Sequence, residues 1–289
     1  MRRSFFSMAN SWFRFKKFAV EQSGAAMKVG TDGVLLGAWA RVVPGHIRWL
    51  DVGTGTGLIA LMVAQRTEAA QAARVRVDAV EVDGASAAQA LANVASSPWS
   101  DRIGVYHCGI QDFVPGAAAM SEEAGRQGAA GVAGDSVGVA TRATDDDAGS
   151  REGRYHHIVS NPPWFVDSLR SPHAGRNTAR HTDSLSYGEL LACAARLLVP
   201  DGLFSVVLPA DSAVRFLAEA RAAGFGLNRR TAVSTLPAAA PKRVLLELAP
   251  AGSCAAVVEE RSLTIETGEE AGCYTEEYRR LTGDFYLRF

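Results

Sequence analysis

A doubly wound α/β fold is what this sequence predicts: a seven-stranded, mostly parallel sheet with helices on both faces and a C-terminal antiparallel hairpin. Three observations carry that expectation. The apolar run Trp49-Leu50-Asp51-Val52 enters a glycine turn at Gly53, Gly55 and Gly57 and leaves it as an apolar helix, Leu58–Gln65. Strand-like and helix-like segments then alternate along the chain, as parallel sheets require. Near the end, the runs Leu227–Ser234 and Arg243–Leu248 flank turn composition at Pro237–Pro241, which pairs them as antiparallel neighbours.

The elements between follow in order. Val75–Val80 reads as a second strand, ending in Glu81 with Asp83 just beyond, and Gly84–Val94 as a helix rich in Ala, Gln and Leu. Ile103–Tyr106 is a third strand leading to Gly109-Ile110-Gln111-Asp112-Phe113, and the apolar Ile158-Val159-Ser160 a fourth, leading to Asn161-Pro162-Pro163-Trp164. Tyr187–Leu198 reads as a helix stopped by the turn Val199-Pro200-Asp201-Gly202, which feeds the strand Leu203–Leu208; a helix Ser212–Ala223 ends at Gly224. With 289 residues, 47% of them hydrophobic, the chain can bury one large core.

The strand ends carry the candidate chemistry. Glycine at 53, 55 and 57 lets backbone approach a ligand where a Cβ would collide, and the helix start behind them favours polar ligand groups. A dinucleotide fingerprint would need glycine at position 58, where Leu58 stands; the form from Asp51 to Gly57 is the one that S-adenosylmethionine enzymes use. A plain strand-to-helix turn is the competing reading. Glu81 at its strand end can hold both ribose hydroxyls, and Asp112 can accept from a cofactor adenine with Phe113 or Ile110 against the ring. Such carboxylates more often serve loops, but both fall at the edge where open sheets bind ligands. Asp51 either orders the turn or meets a donor amine.

Asn161-Pro162-Pro163-Trp164 suits a flat amine. The Asn161 side-chain oxygen and the Pro162 carbonyl can both accept from one NH2 group, while Trp164 offers a stacking face. Asn-Pro-Pro also simply ends a strand, because Pro supplies no ladder donor. Paired with the glycine turn, it points to a methyl donor facing a purine amine.

The blocks Phe13-Arg14-Phe15-Lys16-Lys17-Phe18, Met27 through Trp39, Ala95-Ser96-Ser97-Pro98-Trp99, Ala179 through Ser186 and Glu276 through Leu287 complete a pattern that resembles the bacterial valine tRNA adenine-N6 methyltransferases. The resemblance covers most of the chain outside Met1–Trp12 and Pro115 to Gly153. It implies a class I, Rossmann-like methyltransferase that uses S-adenosylmethionine to methylate N6 of adenosine 37, just 3′ of the anticodon. It implies catalytic roles for Asn161, Pro162 and Trp164, and donor contacts from Asp51, Gly53, Gly55, Gly57, Glu81 and Asp112. Thr31-Asp32-Gly33 resembles the element that closes over the methionine end of the donor, which makes Thr31 a weaker candidate there. Two departures stand out. Trp164 replaces the family's usual Tyr or Phe, enlarging the face and adding an indole N–H, and an insertion runs from Gly116 to Gly153. The insertion is rich in Gly, Ala and acids and poor in large apolar side chains, so a mobile surface loop is expected rather than a substrate-gating lid.

A formal net charge of −1 argues against general basic coating. Charge is uneven, however. Residues 1–28 read as an N-terminal basic and aromatic arm ahead of a 29–289 domain, with Arg14, Lys16 and Lys17 among Trp12, Phe13, Phe15 and Phe18, as an RNA contact needs. Arg170, His173, Arg176, Arg180 and His181 form a second cluster and Arg229, Arg230, Lys242 and Arg243 a third; near one cleft they favour tRNA as the partner. Solvated basic faces explain any one cluster. The four cysteines and six histidines show no metal spacing, His156-His157 read as structural, and the cysteines read as reduced thiols of a cytoplasmic protein. No apolar stretch approaches a membrane span and no secretory signal is evident, an organellar leader being the lesser reading of Met1–Trp12. Two alternatives remain in view. A glutamine-N5 methyltransferase of release factors also uses Asn-Pro-Pro-aromatic, but carries a longer helical domain ahead of its glycine turn; a catalytically silent RNA-binding protein on the same fold would not need Asn161.

Overall fold

The computed structural model describes residues 11–25, 27–68, 75–117, 119–120, 154–162, 185–270 and 272–288. A short hairpin, β1 (Trp12–Arg14) and β2 (Ala19–Glu21), leads to α1 (Thr31–Trp39), β3 (Arg48–Val52), α2 (Leu58–Arg66), β4 (Arg76–Glu81), α3 (Gly84–Ala95), β5 (Ile103–His107) and β6 (Tyr155–Ser160). Then come α4 (Tyr187–Leu197), β7 (Leu198–Pro209), α5 (Ala213–Ala222), β8 (Phe225–Ser234), β9 (Arg243–Pro250), β10 (Glu259–Thr264) and α6 (Glu276–Thr282).

The main sheet runs β10-β8-β9-β7-β6-β3-β4-β5. Only β9 is antiparallel to its neighbours, so the expected α/β sheet with its late antiparallel pair is present. It has one strand more than the sequence predicts. β10, Glu-Glu-Arg-Ser-Leu-Thr, pairs parallel to β8 at the sheet edge, and its charged residues mark a solvent-facing edge rather than an apolar run. The predicted turn at residues 199–202 is a bulge inside β7. Tyr155 pairs with Leu198 and His157 with Leu203, so the intervening residues loop out, and a Cβ on Gly202 would lie 2.5 Å from Leu198 Cδ2.

Both sheet faces are buried, as period-two side chains in a covered parallel sheet demand. Trp49, Val77, Ala79 and Val159 join one core with α1, α2 and α3; Leu50, Val80, Ile158 and Phe204 join the other with α4 and α5. α1 and α2 pack closely because Gly33 and Gly37 lie one turn apart: a Cβ on Gly37 would sit 2.7 Å from Met62 Sδ. α1 has no cation in its last turn, and its C-terminal carbonyls are met by cations from elsewhere. Arg66 donates to Gly37 O at 3.0 Å and also to Ala40 O, while Arg229 donates to Trp39 O at 2.9 Å. α4 starts with a capping box, Ser186 and Glu189, each bonded to the other's backbone N–H.

Two basic groups have different jobs from those the sequence suggested. Arg229 lies 3.6 Å over the Trp39 ring and pairs with the fully buried Glu247 at 3.0 Å; Arg243 pairs with Asp32 on α1. These cations neutralise internal carboxylates, so of the third cluster only Lys242 is open to solvent and Arg230 partly so. Burial raises the Asp32 carboxyl and the charge of Arg243 opposes it. Arg243→Ala therefore strands a largely buried acid. Chemical denaturation is expected to show a loss of about 2 kcal/mol, below the ~3–5 kcal/mol of a fully buried pair because both side chains keep some solvent; a change under about 0.5 kcal/mol would mean solvent screens the pair.

Phe13, Phe15 and Phe18 of the hairpin also turn inward, unlike Trp12. Phe15 and Phe18 are buried and stacked at 4.7 Å, Phe18 meets Trp99 at 5.8 Å, and Phe13 meets Tyr286 at 6.1 Å. Alternation is the reason: with Phe13 and Phe15 facing the core, Trp12, Arg14 and Lys16 face solvent. Lys16 N donates to Phe285 O at 2.8 Å, fixing the hairpin to the C-terminal segment.

Candidate active site

Strand order reverses between β6 and β3: the chain proceeds outward from β3 through β4 to β5, then returns to β6 on the other side. Open sheets bind ligands at the carboxyl edge of such a point, and the candidate residues lie along that edge. Val52 pairs with Ser160, so the glycine turn and Asn161 leave the sheet side by side. Ser160 Oγ donates to Val52 O at 2.9 Å and ties the two exits together.

The turn is held from three sides. Asp51 is fully buried; its Oδ2 accepts from Thr54 Oγ1 at 2.6 Å and from Ala60 N, in the first turn of α2, at 3.1 Å. Glu81 Oε2 accepts from Gly55 N at 2.8 Å and its Oε1 from Asp83 N at 3.0 Å, joining the ends of β3 and β4. Gly53 and Thr54 donate to Val80 O. Gly53, Gly55 and Gly57 have φ of 70°, 58° and 82°, the left-handed region that glycine adopts without penalty.

These residues fit a donor such as S-adenosylmethionine. A Cβ built on Gly53 or Gly55 meets no heavy atom within 4 Å, so the turn presents bare backbone to open space, whereas one on Gly57 would meet Ala90 at 3.5 Å on the protein side. Asp51 Oδ1 is buried without a hydrogen-bond partner, an acceptor left over after the turn has been ordered. Burial pushes the Asp51 carboxyl up to about 7. The raised value means that its neutral form favours folding; that contribution is complete below the unfolded value of 3.8 and fades as pH rises through about 7. Relative to wild type, Asp51→Asn should therefore gain thermal stability between pH 6 and pH 8, and a melting difference that is flat or shrinks across that interval would contradict the assignment.

Asp112 is exposed on the turn after β5, its N–H bonded to Gly109 O at 3.1 Å. Phe113 is packed into the core against Tyr106 and Tyr155 and Ile110 is likewise buried, so neither ring nor methyl lies open beside Asp112. Thr31 is exposed in the first turn of α1. Asn161 is half-buried and Pro162 buried just past β6. Trp164, Arg170, Arg176 and Arg180 lie outside the described residues, as do Arg2 and Arg3. Arg14, Lys16 and Lys17 are exposed, with Lys17 paired to Glu68 at 2.7 Å and Lys16 Nζ donating to Gly283 O. His157 is buried against Trp49 and bonded to Ser205, and the four cysteines are free thiols. Among the described residues no group of His, Cys, Asp or Glu is arranged to hold a metal, and no helix is long and apolar enough to cross a membrane.

Sequence reasoning missed three supports of the site: Ser160, Thr54 and Asn93, whose Nδ2 donates to Thr56 O at 2.9 Å. A polar residue closing an apolar strand would have flagged Ser160; the other two carry no local signal.

No family model matches the chain. Curated relatives do. A tRNA1(Val) (adenine(37)-N6)-methyltransferase of Phocaeicola vulgatus is 43% identical over 281 residues, 97% of this chain and 99% of the relative. One of Klebsiella pneumoniae is 39% identical over 288 residues, covering 99% of each. The chain belongs to this methyltransferase family. Among solved structures, a predicted O-methyltransferase of Agrobacterium tumefaciens superposes with a TM-score of 0.52 at 16% identity, covering 88% of this chain and 96% of that one, which shows the shared fold. The methyltransferase accordingly keeps its glycine turn, Glu81 and Asn161 at one sheet edge.

Proposed function

We propose that this chain methylates N6 of adenosine 37 in a valine tRNA, using S-adenosylmethionine. Full-length relatives of that name support the reaction, and one observation supports the site: Asn161 leaves β6 directly beside the glycine turn that leaves β3. The bound donor supplies an electrophilic sulfonium methyl. Gly53, Gly55 and Gly57 would line its methionine end, with Thr31 a weaker contact, Glu81 would accept from its ribose through lone pairs not used by Gly55 and Asp83, Asp112 would accept from its adenine, and Asp51 Oδ1 would face its amine.

Asn161 Oδ1 and the Pro162 carbonyl hold the two N6 hydrogens, which localises a lone pair otherwise delocalised into the ring. Trp164 stacks on the base. The protein's contribution is chiefly alignment and exclusion of water, and the proton is lost to solvent without a dedicated base. Arg14, Lys16, Lys17, Arg170, Arg176 and Arg180 supply phosphate contacts from residues 1–28 and from the segment after Trp164, with residues 29–289 as the catalytic domain and 116–153 as an insertion in it. The cytoplasm, where tRNA is modified, is the compartment this reading assigns.

Nucleoside analysis of total tRNA from cells with and without the gene tests this. Loss of N6-methyladenosine from one valine isoacceptor is expected; unchanged nucleosides, or methyl incorporation into release factor instead, would overturn it.

A further inference from the structure

Asn93 lies on the buried face of α3 with 2% of its surface exposed, and both the oxygen and the nitrogen of its amide are bonded. Oδ1 accepts from Glu21 N at 2.8 Å, and Nδ2 donates to Glu21 O at 2.8 Å and to Thr56 O at 2.9 Å. It pairs both backbone groups of Glu21, as a neighbouring strand would, and with its second hydrogen reaches the middle of the glycine turn. One turn earlier on the same helix, Gln89 Oε1 accepts from Gly24 N at 3.1 Å, and Gln22 Oε1 accepts from Val29 N at 2.8 Å. Glu21 and Gly24 are thereby strapped to α3, and Gln22 is tied to Val29 shortly before the chain enters α1 at Thr31.

The peptide between Thr56 and Gly57 is bonded at both ends: Gly57 N donates to Thr54 O at 2.9 Å and Thr56 O accepts from Asn93 Nδ2 at 2.9 Å, while the glycines at 55 and 57 supply little torsional restraint of their own. Glu81 fixes one side through Gly55 N, and Asn93 fixes the other through Thr56 O. We propose that Asn93 is a positioning residue for the methyl donor: by clamping Thr56 to the β2 strap it sets the shape of the turn that receives the donor, although it lies behind that turn. The inference rests on the assignment of this turn as the donor site.

Calorimetric titration with S-adenosylhomocysteine, together with thermal denaturation, tests it. Asn93→Ala is expected to weaken binding by the folded protein about tenfold, the loss of roughly one buried hydrogen bond. Asn93→Asp keeps the side-chain volume and the acceptor for Glu21 N but sets oxygen against two carbonyls; a similar loss is expected, and it serves if the alanine variant fails to fold. Gln89→Ala loosens only the strap, so it should lower the melting temperature while leaving affinity within about twofold. Wild-type affinity in both Asn93 variants overturns the proposal, and so does an equal loss in Gln89→Ala, which would make the effect one of general stability. Wild-type protein that fails to bind S-adenosylhomocysteine overturns the donor-site reading and the clamp together, whereas binding without methyl transfer to tRNA overturns the RNA assignment alone.

Discussion

Asn161→Ala is expected to lower turnover by about 10²–10³-fold while the affinity for S-adenosylhomocysteine stays within about twofold of wild type. The two effects separate because the groups that would hold the donor hang from β3, β4 and the turn after β5, while Asn161 hangs from β6. The exit of β6 does not depend on the Asn161 side chain, since Ser160 is bonded to Val52 O and the Val52–Ser160 register persists. Truncation therefore removes an acceptor for the target amine without reshaping the turn. Asn161→Asp retains an acceptor pair but adds a charge near the reacting nitrogen, and should fall between wild type and Asn161→Ala. Single-turnover methyl transfer to unmodified valine tRNA, with calorimetry on the same preparations, checks both. Undiminished transfer by Asn161→Ala would remove this residue from the chemistry.

What the sequence disclosed, and what it hid, follows the range of the forces involved. The glycine spacing, the acid closing β4 and the Asn-Pro-Pro at the end of β6 are local signals: each residue is where it is because of its own backbone. β10 was hidden because its charged residues carry no period of two; only main-chain pairing with β8 makes it a strand. Arg229 and Arg243 looked like surface cations because charge was counted along the chain, while their partners, Glu247 and Asp32, become neighbours only through the sheet and α1. Phe15 and Phe18 show a different ambiguity. Aromatic rings among cations suit stacking on bases and suit a core equally well, and the choice was made by Trp99 and Tyr286, distant in sequence. Asp51 admitted two roles from sequence, and the fold gives it one through Oδ2 while leaving Oδ1 available for the other.

Gly55→Val is expected to weaken binding of S-adenosylhomocysteine by at least about 100-fold while the protein still folds, since even a ~3 kcal/mol loss of contact is that large a factor. The residue sits at φ 58°, where a β-branched side chain costs on the order of 1–2 kcal/mol, so some stability is lost. A Cβ there meets no heavy atom within 4 Å, so the first side-chain atom adds no clash within the protein, and the N–H to Glu81 can persist. The isopropyl group would stand over the turn in the space that the backbone otherwise keeps clear. Two other glycines separate this from backbone strain. Gly45, at φ 88° with equally open surroundings, precedes β3 at the opposite end of the sheet, so Gly45→Val should lose similar stability and bind normally. Gly57, at φ 82°, would direct a Cβ into ordinary contact with Ala90 at 3.5 Å, on the protein side, so Gly57→Ala should lose stability through its left-handed backbone more than it blocks the donor. Melting temperatures and calorimetric affinities of the three variants decide the matter: a Gly55→Val protein that binds as wild type does, or a Gly45→Val protein that loses affinity equally, would mean that the bare backbone of this turn is not what receives the methyl donor.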